Sequence, residues 1–510
     1  MILLRWLHGS GRSMGRGLLV AGLAAVLAGG VGSPGAAAHD YDNPHPGAPT
    51  QPVPAEASKD LSRIATTTSV GSVNSDLAFW GTTAYMGVYN GLQVVDIADP
   101  ARPRVVGQLA CHGSQNDVSV WQGLLFMSID RPQTKPDCDS ASTVDNAPGW
   151  EGIRIFDVRD PAHPVHIGSV ATDCGSHTHT LVPDPANGRV LIYVSSYSSN
   201  SNTFGLTQWG NDCELDHGYI SVIDVPLADP AAARVASTPR LPLDEYFHNG
   251  GNGCHDIGVF TALRMAAAAC SGNALLLDLS DPVNPRATDR VGLPHDKAFW
   301  HSGAFSPDGR VAVFGDETYG GGGNACRNKD VEGRLWFFRV DQQSKQFVGH
   351  QAVGSYKIPR QQDGGVAASC TAHNYNVLPI PGRYVLNSAW YTGGTTLVDF
   401  SDPANPRELA YFDYVNVKFY SGVWSSYYYS GYTYASSIDT GLEVLDHTGT
   451  ADAGAISQPY LNPQTQEQPL AGVASDAAAS TPGPSAALWQ PTAPGARPWH
   501  TGCCCCGGAC

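Results

Sequence analysis

Four histidines stand at one place in a repeating pattern. His179, His255, His301 and His373 each open a short alternating segment: HTLVP at 179–183, HDIGVF at 255–260, HSGAFS at 301–306 and HNYNVL at 373–378. Imidazoles brought together from equivalent positions are good ligands for copper, zinc, iron or nickel. They also suit general bases or a pH-responsive polar ring; the bland alternative is a polar plug that satisfies neighbouring backbone groups. His177 lies two residues before His179 and points the same way if the segment is a strand, because strand side chains repeat with period two. Three further units place Asn74, Asn116 and Tyr420 where the others place histidine, and Asp117 and Asp256 come directly after two of these positions. All of these are expected to line one channel.

No other catalytic signature is present. The chain has no Gly-x-Ser-x-Gly elbow, no His-Glu-x-x-His and no P-loop, so no catalytic residue is assigned. Asp316 and Glu317 are adjacent carboxylates in a strand-like run. Neighbours in a strand face opposite ways, so they make a poor acid–base pair.

The elements that must position the histidines are set by a second motif. LQVVDIADPARPRVVGQL at 92–109 returns at 153–170, 274–291 and 395–412, and with a two-residue insertion at 220–237. Degenerate copies follow at 334–353 and 442–449, the first without its Asp-Pro turn and the second cut short. Recurrence on this scale marks a repeat architecture. Each unit reads as the histidine-bearing strand, a turn such as Asn187-Gly188 or Asp308-Gly309, a second strand, the V-D strand, an Asp-Pro turn and a fourth strand. The aspartates Asp96, Asp157, Asp224, Asp278 and Asp399 sit at one structural position, where they are expected to accept backbone N–H bonds in that turn.

Seven four-stranded antiparallel sheets have two apolar faces each and cannot stand alone. Packed radially they bury those faces against one another. The expected fold is therefore an all-β, seven-bladed β-propeller. The last unit stops at Gly449 without a fourth strand, and the unpaired segment LSRIATTTSV at 61–70 is expected to supply it and close the ring. The domain reading is a signal peptide at 1–38, a linker at 39–60, the propeller at 61–449 and a disordered tail at 450–510.

The N-terminus supports the first of these boundaries. Arg5, Arg12 and Arg16 precede an apolar run at 18–31, and Ala36-Ala37-Ala38 offers a cleavage site, the layout of a Sec-type export signal. The run is too short for a membrane span. The expected location is secreted, periplasmic or cell-surface. The chain carries 30 Lys+Arg against 46 Asp+Glu, a formal charge of −16. Nucleic acid is therefore excluded as a partner, and a ligand or an envelope or extracellular protein is expected. The propeller is expected to be monomeric.

Of 13 cysteines, five crowd 503–510 in a run that fits no metal motif and reads as an aberrant gene end. The other eight, in an exported body, read as disulfides. Cys254 and Cys270 stand opposite each other in one hairpin. The same logic joins Cys111 to Cys138 and Cys174 to Cys213, leaving Cys326 with Cys370.

The V-D-x-x-D-P-x-x-P units resemble those of the LVIVD-repeat family, a group of exported or cell-surface bacterial and archaeal propellers, over about residues 61–449. The resemblance implies a binding scaffold and names no activity, because its motif is architectural. A weaker resemblance, carried by the turn motif and the central histidines, is to propellers of the selenium-binding protein and methanethiol oxidase group. That resemblance implies a copper-dependent oxidoreductase. The cofactor to look for is a transition metal, copper or zinc.

Overall fold

In the computed structural model the described residues run from 55 to 470, apart from 68–71, 144–148, 198–212, 214–216, 244–252, 296–297, 319–330, 361–368 and 415–421. They form seven sheets arranged as a seven-bladed β-propeller. Blade 1 is built from the strands Asn74–Trp80, Thr83–Val88, Gly91–Asp96 and Arg104–Ala110. Blades 2 to 6 follow in chain order, with innermost strands Val118–Trp121, Thr178–Asp184, Asp256–Phe260, Trp300–Phe305 and Tyr375–Val377. Blade 7 starts at Val423–Tyr429 and takes Leu61–Thr66 as its outer strand, paired antiparallel with Gly441–His447. The ring is thus closed by the N-terminal strand, as its lack of a partner in its own unit required.

Burial follows the repeat. Inner strands such as Asp256–Phe260 and Trp300–Phe305 are buried along their whole length, whereas outer strands such as Arg104–Ala110 mix exposed and covered residues. Each blade interface holds its own apolar cluster, for example Val313, Phe337, Leu386 and Phe400 between blades 5 and 6. Every fully buried side chain of this size contributes about 1.5–3 kcal/mol. The repeat aspartates cap their own turns. Ala98, Arg159, Ser280 and Ser401 donate backbone N–H bonds at 2.9–3.0 Å to Asp96, Asp157, Asp278 and Asp399. Blade 5, which lacks the Asp-Pro turn, has its outer strand broken into Gln346–Phe347 and Gly354–Tyr356, both paired with Leu335–Asp341.

Two segments outside the expected propeller limits are structured. Ala55–Ala57, within the expected linker, adds an edge strand to blade 6. The tail, expected to lack structure from 450, instead crosses one end of the channel up to Leu470; residues 471–510 lie outside the described set, as do 1–54. Tyr460–Leu461 pairs antiparallel with the end of the blade 1 inner strand, and Thr465–Gln466 pairs parallel with that of blade 4. The segment has few large apolar groups. It is held by backbone pairing, by Tyr460 packed on Trp80 and Trp121, and by amide side chains that bond the inner strands, means that hydrophobic periodicity does not register.

Three of the four cysteine pairings are present: Cys111–Cys138, Cys174–Cys213 and Cys254–Cys270. Cys370 is disulfide-bonded, while its expected partner Cys326 lies outside the described residues.

Candidate metal centre

The inner strands of blades 3 to 6 bring four imidazoles into one row. His177 Nε2 and His255 Nε2 are 2.9 Å apart. The ring centroids of His255 and His301 are separated by 3.7 Å, and those of His301 and His373 by 4.4 Å. The close approach of blades 4 and 5 depends on glycine: a Cβ on Gly258 would stand 2.0 Å from the Gly303 carbonyl oxygen, and one on Gly303 would stand 2.4 Å from that of Ala267.

His179 does not join the row. Its ring lies between blades 2 and 3, with Nε2 2.7 Å from Ser119 Oγ and Nδ1 2.8 Å from Ser128 Oγ. The equivalent residue is His177. Thr178, which follows it, donates its hydroxyl to the His255 carbonyl of the next blade. Ser302, which follows His301, donates in the same way to the His373 carbonyl at 3.1 Å. Asn74 and Asn116 use their amides to hold blade edges, donating at 2.7 Å to the carbonyls of Ser437 and Val88. Tyr420 lies outside the described residues.

Glu317 completes the group. It directly follows the second strand of blade 5, Val311–Asp316, whose last residue Asp316 faces the other way to His295 and the backbone N–H of Phe299. Alternation separates the two carboxylates, as expected, and it also sends Glu317 to the histidines. Its Oε2 is 3.7 Å from His301 Nε2 and its Oε1 3.7 Å from His373 Nε2. Ligand atoms of His255, His301 and Glu317 all lie within 4.8 Å of one another, and all three residues are buried. Such spacings are too long for hydrogen bonds but suit donors around one ion at about 2.0–2.2 Å.

Neighbouring groups fix the tautomers. Asp130 Oδ2 lies 2.6 Å from His177 Nδ1, which directs the ring proton there and leaves Nε2 as a lone pair facing the row. His373 Nδ1 donates to the Trp424 carbonyl, so its Nε2 is likewise free for a ligand. His255 Nδ1 and both ring nitrogens of His301 are buried with no hydrogen-bond partner. A buried imidazole N–H without an acceptor is costly. Burial, and then the neighbouring imidazoles, push His255 and His301 well below the usual histidine range. Burial pushes His373 down to about 3 against the opposing bond to Trp424. His255, His301 and His373 are therefore neutral, the form in which imidazole binds metals. Burial raises Glu317 to about 8, opposed by the 2.6 Å hydrogen bond donated by Tyr391 and assisted by Asp316.

Across the channel, blades 1 and 2 contribute acids. Asp76 accepts from Leu77 N at 2.8 Å and from the tail residue Gln464 at 3.1 Å. Asp117 accepts from His179 N at 2.8 Å. Burial, and then Asp76, push Asp117 well above the usual carboxylate range, and burial does the same to Asp256. Sequence reasoning placed His255, His301, His373, Asp117 and Asp256 in the channel. Glu317, weighed in the sequence only as a partner of Asp316, had a signal in its position just after a strand that neighbours a histidine strand, whereas Asp130, Asp76 and Tyr391 had none.

Among known proteins, the LVIVD repeat family model matches residues 73–110, the first complete repeat. No curated protein matches the chain. Similar solved structures include a candidate 6-phosphogluconolactonase from Bacteroides uniformis, at 11% identity and a TM-score of 0.48, covering 76% of this chain and 96% of that one. The Cps50 (Swd1) β-propeller domain of Myceliophteria thermophila, at 9% identity and a TM-score of 0.45, covers 76% of this chain and 100% of its own. The computationally designed Ika8 protein shows 10% identity and a TM-score of 0.41, with coverage of 76% and 100%. The resemblance to the methanethiol oxidase group gains no support from these comparisons. With its closed ring of seven blades and the matched repeat in blade 1, the chain is a β-propeller that carries the LVIVD repeat.

Proposed function

We propose that the protein is an exported β-propeller scaffold that holds a transition metal in its axial channel through His177, His255, His301, His373 and Glu317. One observation carries the reading: both nitrogens of the His301 ring are buried without a partner, in a row of imidazoles that ends on Glu317. A metal ion would take one nitrogen of the His301 ring together with nitrogens of the neighbouring imidazoles and the Glu317 carboxylate. Nitrogen donors with one carboxylate favour zinc or copper over calcium or magnesium, which take oxygen shells. The three disulfides support a place outside the cytoplasm. Among the described residues no helix is long and apolar enough to cross a membrane.

The test is elemental analysis of the mature protein exported by cells grown in metal-replete medium. Stoichiometric copper or zinc is expected, lost when His255→Ala and His301→Ala are combined while the β-sheet circular dichroism is retained. A metal-free protein from such cells overturns the reading.

A further inference from the structure

The five donors come from one side of the channel. Blades 3, 4, 5 and 6 supply His177, His255, His301, Glu317 and His373, whereas blades 1 and 2 face them with Asp76 and Asp117. A cavity of about 10 Å³ lies between the two sides. His255, His301 and His373 border it, and so do Ser75, Asp76 and Asp117. A water molecule needs roughly 10–15 Å³ of such space and two to four polar partners. This cavity has the volume of one such molecule, with nitrogen donors on one wall and carboxyl groups on the other.

We infer that the centre keeps an open coordination position, directed across the channel at Asp117, that takes one ligand of water size: water, hydroxide or a small anion such as fluoride. The inference rests on the metal reading above. Ligands confined to one hemisphere cannot complete a coordination shell, so the vacant position points to the side that holds the cavity. The acid wall then positions the bound molecule through a hydrogen bond and limits its size. The cavity has room for one water-sized molecule, whereas azide and imidazole carry three and five heavy atoms. The tail closes the channel end beyond Asp76 by the Gln464 bond, so that end offers no additional room.

The experiment is electron paramagnetic resonance of the full mature chain loaded with Cu(II). Fluoride is expected to change the copper signal, and azide and imidazole to leave it unaltered. Ser75→Val, which sets a bulkier side chain at the cavity edge in place of the hydroxyl that bonds the Gln115 carbonyl, is expected to abolish the fluoride response without loss of bound copper. A loaded protein that ignores fluoride, or that accepts imidazole as readily, overturns the inference alone. A fluoride response that survives in Ser75→Val also overturns it, by removing the ligand from this cavity. A protein that binds no copper or zinc overturns the metal reading and this inference with it. Should Ser75→Val fail to fold, the contrast between fluoride and imidazole in the unaltered chain decides.

Discussion

His177 Nε2 faces His255 Nε2 at 2.9 Å, and Asp130 stands behind His177 at 2.6 Å from Nδ1. A carboxylate that orients an imidazole toward a second imidazole is the arrangement of a ligand and its support. His179, two residues on, is bonded at both nitrogens to serines of blade 2. The two histidines should therefore separate in experiment. His177→Ala is expected to weaken metal binding at least tenfold with little change in stability. His179→Ala is expected to leave the metal in place and cost about 3 kcal/mol, because it opens a void and strands the Ser119 hydroxyl. Metal titration and urea unfolding of both variants check this. Equal metal affinity in the two variants would remove His177 from the centre.

The same contrast has a pH signature. Burial pushes His179 down to about 3 from an ordinary 6.5. The unfolded chain binds a proton in that interval and the folded chain does not. The stability associated with a neutral His179 is therefore fully present above pH 6.5 and is lost as the pH falls toward 3. The loss is about 1.4 kcal/mol per pH unit. Metal-free protein and His179→Gln are compared by urea unfolding at pH 7 and pH 5. The unsubstituted chain is expected to lose about 2 kcal/mol more than the variant. Other buried histidines titrate in both proteins and cancel in the difference. Identical losses would show that His179 is accessible to protons.

Much of the architecture is legible in the chain because its determinants are local. The Asp-Pro turns declare themselves through Asp96, Asp157, Asp278 and Asp399, each bonded to a backbone N–H two residues away. The register they set exposes His255, His301 and His373 as equivalent. The centre is less legible where equivalence is decided between blades. HTLVP aligns with HDIGVF by its apolar residues, which favours His179. The level of each ring is set instead by hydroxyls such as Thr178 and Ser302 that reach the next blade. Glu317 was hidden for a similar reason, since its role depends on Tyr391 and His373 from blade 6.

Ring closure places a buried charge pair at the seam. Arg63 of the N-terminal strand donates to Glu443 at 2.9 Å, and Tyr414 donates to the same carboxylate at 2.6 Å. The Glu443 side chain is fully buried, and that of Arg63 is 17% exposed. Removing the cation leaves a buried carboxylate partly uncompensated, which costs about 3 kcal/mol. Arg63→Ala is expected to lower the unfolding midpoint accordingly. The double variant Arg63→Met with Glu443→Gln is expected to recover most of the loss. Circular dichroism melts and urea curves test both; an unaltered Arg63→Ala melt would show that the seam does not limit stability.

The tail adds a second fastening, made by side chains acting as backbone. Asn462 accepts from Val120 N at 2.8 Å and donates to Val120 O at 2.9 Å, so its amide occupies both hydrogen-bonding groups of one residue at the end of the blade 2 inner strand. Gln466 does the same to Phe305 in blade 5, at 2.8 Å in both directions. With Tyr460–Leu461 on blade 1 and Thr465–Gln466 on blade 4, the segment links blades that are not neighbours. Each amide satisfies a buried donor and acceptor, so Asn462→Ala or Gln466→Ala is expected to cost about 2 kcal/mol. Asn462→Asp should cost more, because a carboxylate cannot donate to the Val120 carbonyl and repels it. Because both amides hold the same segment, the double alanine variant should cost less than the sum of the two single ones: once either anchor is gone, part of the segment's ordering is already lost. Urea unfolding of the three alanine variants measures that coupling. Strictly additive losses would mean that each amide fastens its own blade and that the tail is not a single strap.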